Sequence, residues 1–176
     1  PGRRLAVSSH DNNIYVFDRK SYTRTAVLRG HSSYIPHMDF SADGRFLQSN
    51  CGAYELLFWD VDRGRQITSA SSLRDVHWET WTCTLGWPVQ GIWPPEADGT
   101  DVNSVDRSPD KNLLVTADDS GKVKLFRYPA PQTEGSAFRT GEGHSSHVTN
   151  ARFLANGKTT VTTGGNDRCV FQWNVV

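Results

Sequence analysis

The chain has 176 residues, enough for one domain with a sizeable core, and its 19 basic residues balance 19 acidic ones, so bulk charge favours neither nucleic acid nor an anionic membrane as partner. Three cysteines (Cys51, Cys83 and Cys169) without CxxC spacing fit buried thiols in a reducing compartment better than a disulfide framework. The N-terminal stretch has no apolar signal-peptide core and no later run approaches the roughly 18 apolar residues of a membrane span; a soluble cytosolic chain is expected, and its start on Pro1 suggests a piece of something larger.

In chain order, short β-branched and aromatic runs follow one another: "LAVSS", "NIYVFD" and "TAVLRG"; then "YIPHMDF", "RFLQSN", "ELLFWD" and "RQITSA"; then "DVNSVDR", "LLVTAD" and "KVKLFRY"; finally "HVTNARF", "TTVTTG" and "CVFQWNV". Each is bounded by Gly, Asn, Asp, Ser or Pro, notably in "SADGR", "SPDKN" and "LANGK", which is the signature of strands joined by tight turns. No stretch sustains the i, i+3, i+4, i+7 apolar stripe of a helix. The fold class is all-β.

Two stretches nearly copy each other, "RGHSSYIPHMDFSADGRFL" at residues 29–47 and "EGHSSHVTNARFLANGKTT" at residues 142–160. Aligning His31, Asp98 and His144 sets Ile35, Val102 and Val148 at equivalent positions, and each repeat has an aromatic at the end of its third strand: Phe17, Trp59, Phe126 and Trp173. Asp98 and His144 are about 46 residues apart, close to the approximately 40–45 of a WD40 blade, whereas the interval of about 67 from His31 to Asp98 carries an insertion. The reading is therefore a partial WD40-type β-propeller of about three and a half four-stranded blades, at about 5–28, 31–70, 98–140 and 144–176, with a Trp-rich insertion at 74–97.

In a WD40 blade the His of the Gly-His pair reaches an Asp in the tight turn near the closing aromatic, and this buried relay fixes strand register; an unpaired polar group there would cost about 1–3 kcal/mol. The last repeat is complete, with His144, Asp167 and Trp173. The first keeps Asp11 six residues before Phe17. The second has His31 and Trp59, but Ala53 stands where the carboxylate is expected. In the third, Ser120 takes that place behind Asp118 and Asp119, and Asp98 replaces the histidine.

Around these residues the runs "GHSSHVTNARF", "RDVHWETWTCTLGWPVQGIWP", "DGTDVNSV" and "DDSGKVKLFRYP" closely resemble the C-terminal region of the echinoderm microtubule-associated-protein-like family, over nearly the whole chain. That resemblance implies tandem atypical β-propellers that sit on tubulin, with the remaining blades of the same propeller as further partners. It also implies a cytoplasmic, cytoskeletal location on microtubules, those of a ciliary axoneme included. Ala53 departs from the acidic residue expected in this family, and the family's N-terminal propeller and hydrophobic motif are absent from the sequence.

The insertion holds Trp78, Trp81, Trp87 and Trp93, four of the six tryptophans, and "WTCTLGWPVQGIW" reads as a hairpin punctuated by Gly86 and Pro88. Two readings stand: the rings cap a sheet edge as core, or one or two of them stay exposed as anchors for a partner. Basic residues, among them Arg3, Arg4, Lys20, Arg24, Arg63, Arg65, Lys122, Lys124 and Arg127, either serve as solvated rims or meet an acidic protein surface. A zinc site from His144, His147 and Cys169 is conceivable, but the relay claims His144 and alternation parts neighbouring strand residues. No G-x-S-x-G elbow supports a hydrolase, and "GGNDR" lacks the Lys-Ser/Thr pair of a phosphate loop. The expectation is a non-enzymatic scaffold without cofactor or metal, with a generic WD40 adaptor for another protein or peptide as the alternative.

Overall fold

The computed structural model describes residues 2–97 and 102–175, and the chain divides into two compact units, Pro1–Leu85 and Gly86–Val176. Asp98, aligned above with the two histidines, lies outside the described residues.

In the first unit, β1 (Arg4–Ser8), β2 (Asn13–Asp18) and β3 (Arg24–Arg29) form one antiparallel sheet, and β4 (His37–Phe40), β5 (Phe46–Asn50), β6 (Leu56–Asp60) and β7 (Arg65–Ile67) form another. Period-two alternation decides which side chains go inside. Along β2, Ile14 and Val16 are fully buried while Asn13 and Tyr15 are not. Leu28, Leu47, Trp59 and Val61 complete that core. The β4–β5 turn is closed by Ser41, whose hydroxyl donates to Asp43 at 2.5 Å and accepts the Phe46 N–H at 2.8 Å. Ser108 and Asp110 repeat the device in the second unit.

That unit contains a four-stranded sheet of β8 (Val102–Arg107), β9 (Leu113–Asp118), β10 (Lys122–Arg127) and β11 (Phe138–Glu142), and a three-stranded sheet of β12 (Val148–Phe153), β13 (Thr159–Gly164) and β14 (Val170–Asn174). Val115, Ala117 and Val123 pack against Val148 and Ala151 between the two sheets. Polar groups cross the same seam: the Ser104 hydroxyl donates to Asn150 Oδ1 at 3.1 Å, and the Phe153 N–H donates to Asp106 at 2.8 Å. Four antiparallel sheets, each running strand to next strand, are blades of a WD40-type β-propeller.

The Trp-rich segment is not the expected hairpin. Its first part runs antiparallel beside β4: Ser41 bridges Trp78, the Ala42 N–H donates to His77 O, and the Glu79 N–H donates to Phe40 O. Buried Asp39 draws it in by accepting the Thr80 hydroxyl at 2.6 Å and the Thr82 and Cys83 N–H groups at 2.9 and 3.1 Å, together with the Gln48 amide. A carboxylate that accepts several donors is a strong local clamp. The later part, Trp87–Ile92, is a 3-10 helix opened by Pro88. It is tied to the loop after β10 by Gly91 N–H to Ala130 O at 2.6 Å and Ala130 N–H to Pro88 O at 2.8 Å. A side chain at Gly91 would collide with Ser136 Oγ at 2.1 Å, so the two segments can approach only because that residue is glycine.

The relay geometry is best seen in the last sheet. His144 Nδ1–H faces Asp167 Oδ2 at 2.8 Å, its Nε2 meets the Thr162 hydroxyl at 2.8 Å, and Trp173 Nε1–H donates to the same hydroxyl at 2.8 Å. Gly164 makes room for the carboxylate, because a Cβ there would lie 1.8 Å from Asp167 Oδ1. In the second sheet Ser49 plays the part of Thr162, at 2.7 Å from His31 Nε2 and 2.8 Å from Trp59 Nε1. His31 is not without a carboxylate: Glu55, two residues beyond Ala53, reaches its Nδ1 at 3.3 Å. Burial pushes the His31 imidazole below its ordinary pKa, against the opposing pull of Glu55. Glu55 itself is held down to about 2 by donors from the Cys51 thiol, the Ser32 N–H and the Ser32 hydroxyl. Asp11 belongs to no such relay among the described residues; it is exposed and accepts the Tyr15 hydroxyl at 2.5 Å. Asp118, which has no histidine, is buried and paired with Lys124 at 2.9 Å.

Because each imidazole shares one hydroxyl with an indole, Ser49→Ala or Thr162→Val strips both rings of that partner and should destabilise the chain by about 1–3 kcal/mol, more at Ser49, where Trp59 is fully buried, than at Thr162, where Trp173 is partly buried. Thermal melts of the two variants check this. A variant melting with the parent would show that the shared hydroxyl does not stabilise its sheet.

Candidate functional site

Among the described residues, the candidate features are a basic groove in the first unit and an exposed indole and two exposed cations in the second. The first unit carries a groove of about 930 Å³ lined by Arg3, Arg4, Arg19, Lys20 and Arg63, with Asp18 and Asp62 as its only acidic residues. Part of that charge is already engaged. Arg4 is paired with Asp62, Arg19 donates to Gly2 O at 3.1 Å, and Arg63 lies 3.8 Å from Asp60. Asp18 turns its Oδ1 to the N–H groups of Lys20 and Ser21, both at 2.9 Å, and to the Ser21 hydroxyl. Those donors hold it ionised, its pKa below the ordinary carboxylate value. Arg3 and Lys20 remain exposed at the rim, so the groove is positive although the chain as a whole is neutral. Charge balance in the sequence hid this patch; the segment leading into β1 and the tight turns after β2 and β6 assemble it.

The four tryptophans of the insertion part company. Trp78 and Trp81 are buried, Trp81 donating its Nε1–H to Cys83 O at 2.9 Å, and Trp93 is half-buried. Trp87, at the start of the 3-10 helix in the second unit, is 64% exposed. On β10, Lys122 and Arg127 point outward. Lys124 turns inward: its ammonium pairs with Asp118 and sits 5.2 Å from the centre of the Phe138 ring. Of these seven residues, Trp87, Lys122 and Arg127 therefore offer exposed surface, while Trp78, Trp81 and Lys124 are committed within the chain.

The conceivable zinc ligands His144, His147 and Cys169 do not converge. His144 is held between Asp167 and Thr162, His147 meets Ser146 Oγ at 3.1 Å, and Cys169 donates to Asp167 O. The His, Cys and carboxylate atoms that do gather among the described residues, within 4.8 Å of one another, are those of His31, Cys51 and Glu55. Sequence reading missed this group because its carboxylate stands two residues away from the repeat's usual place.

The family model for the echinoderm microtubule-associated protein second β-propeller matches residues 1–175. The chain is 48% identical to the 77 kDa echinoderm microtubule-associated protein of Lytechinus variegatus, covering 99% of the chain and 27% of that relative. It is 50% identical to echinoderm microtubule-associated protein-like 2 of Rattus norvegicus, covering 99% and 27%, and 46% identical to the human echinoderm microtubule-associated protein-like 1, covering 99% and 22%. It thus spans about a quarter of the length of these relatives. Among solved structures, the β-propeller domain of Cps50 (Swd1) from Myceliophteria thermophila matches with a TM-score of 0.70 at 18% identity, over 99% of this chain and 63% of that one, a likeness of fold alone. With a matching family model along nearly its full length and relatives at close to half identity, the chain belongs to the echinoderm microtubule-associated-protein-like family, within the second β-propeller.

Proposed function

We propose that the chain is part of a non-enzymatic, microtubule-associated scaffold whose propeller surface binds tubulin, on the microtubules of the cytoplasm. The observation that carries this reading is the basic groove of the first unit, where five cations face two carboxylates in a family whose members are named microtubule-associated proteins. An acidic protein surface is the partner such a groove attracts, through a long-range term that salt weakens. Nothing in this mechanism needs a nucleophile, a cofactor or a proton shuttle. The remaining blades of the same propeller are the second proposed partner, since β1 exposes Leu5 and Val7 at 46% and 44% and β14 exposes Val170 at 68%. A generic adaptor for another protein is the alternative, favoured by Trp87, because an exposed indole can anchor a partner of any charge.

Co-pelleting with polymerised tubulin tests the groove. The double variant Arg3→Glu, Lys20→Glu should weaken pelleting strongly at low salt and leave the melting temperature unchanged. Binding indifferent to both the reversal and added salt would remove the groove from the mechanism. For the anchor, Trp87→Ala should lower partner affinity by about 2 kcal/mol or more with normal melting, whereas an unchanged affinity would leave this ring a solvated one. Made by itself, the 176-residue chain should elute above monomer size or bind a hydrophobic reporter dye; a cooperatively melting monomer of 19.7 kDa would mean that the exposed strand residues need no further blades.

A further inference from the structure

The carboxylate that serves His31 differs from its counterpart in the last sheet in one chemical respect: it brings a thiol with it. Around His144 the partners are a carboxylate and a hydroxyl, and Cys169 Sγ points to a backbone oxygen. Around His31, Cys51 Sγ lies 3.0 Å from Glu55 Oε2, which is in turn 3.3 Å from His31 Nδ1. An imidazole nitrogen, a thiol sulfur and a carboxylate oxygen converge within 4.8 Å. His31 and Cys51 are buried, and the Glu55 side chain is 34% exposed, so the group has a dry side and an open one.

We propose that His31, Cys51 and Glu55 form a site for one zinc-class divalent ion. Tetrahedral zinc with bonds of about 2.0–2.3 Å places its nitrogen and oxygen ligands roughly 3.3 Å apart and its sulfur and oxygen ligands roughly 3.6 Å apart. The imidazole–carboxylate separation already has that value; the sulfur has to move about half an ångström away from the carboxylate and settle about 3.6 Å from Nδ1, inside the 4.8 Å that now spans the three atoms. The donor set selects zinc, cobalt or cadmium over magnesium and calcium, which prefer oxygen alone. Charge also balances: a thiolate and a carboxylate neutralise a divalent ion where a net charge would be costly. Binding releases one proton, that of the Cys51 thiol. The imidazole stays neutral by giving up its Nδ1 proton and carrying one on Nε2, which then donates to Ser49 Oγ, the outer-shell contact that orients a ligating histidine. Exposure of Glu55 leaves the fourth position to water. The site is independent of the microtubule reading, because it sits on the relay and not on the groove.

Titration of the purified chain with cobalt chloride should give one equivalent of tetrahedral cobalt with a thiolate charge-transfer band. Zinc should displace the cobalt, and EDTA should remove it. Cys51→Ser should abolish the band and Glu55→Gln should weaken binding at least about tenfold, while Cys169→Ser leaves it intact. X-ray absorption on the zinc-loaded wild type needs no variant to fold, and should show a single sulfur at about 2.3 Å with nitrogen and oxygen neighbours. No charge-transfer band, a band that survives Cys51→Ser or is lost in Cys169→Ser, or a zinc shell with no sulfur or with two would overturn the proposal.

Discussion

One hydroxyl shared by a histidine and a tryptophan is the contact on which each relay sheet depends. Ser49 does this between His31 and Trp59, and Thr162 between His144 and Trp173. The hydroxyl stands on the second strand of its sheet, the indole on the third, and the imidazole on the segment before the first. Three segments that would otherwise be free to slip are thereby held at one register, since a shift by one residue would turn the hydroxyl to the other face. Burial raises the stakes most in the second sheet, where both His31 and Trp59 are buried and neither ring has water to fall back on.

The carboxylate of the relay is less constrained than the rest. What must be conserved physically is an acceptor at Nδ1, not the residue number that supplies it. Asp167 does so from a tight turn, enabled by a glycine at 164; Glu55 does so from a later position, with a longer side chain, and gathers the Cys51 thiol and the Ser32 donors as well. The same freedom appears at Asp118, where a lysine takes the place of a histidine and so withdraws one cation, Lys124, from the surface. Asp39 shows the opposite case. A single buried carboxylate collects four donor residues and fixes the path of 77–83 along β4, which is why Trp78 and Trp81 end inside.

Surface function then follows from what these buried networks leave over. With the net charge at zero, binding by electrostatics has to be local, and the basic groove is local because the start of β1 and two turns line it together and each contribute cations. Trp87 is exposed although its 3-10 helix is tied to the loop after β10 at both Pro88 and Gly91, because those ties are made by backbone groups and leave its ring outside.

The all-β class, the strand runs, the turns at "SADGR" and "SPDKN" and the pairing of His144 with Asp167 were legible in the sequence, because they rest on period-two alternation and on residue types placed a few positions apart. The family was legible too, from "TCTLG" and "GIWP" as much as from the repeat. Ala53 misled, since spacing predicts which position faces a histidine but not that a longer acid two residues on can reach it. The hairpin expected at 81–93 failed for a related reason: its local pattern fits a hairpin, but Asp39, more than forty residues earlier, holds the backbone of Thr82 and Cys83 instead. Which tryptophan is exposed, which lysine is paired, and where cations gather are decided by contacts between residues far apart in the chain. Alternation and spacing carry no information about such contacts, so only the tertiary structure could settle them.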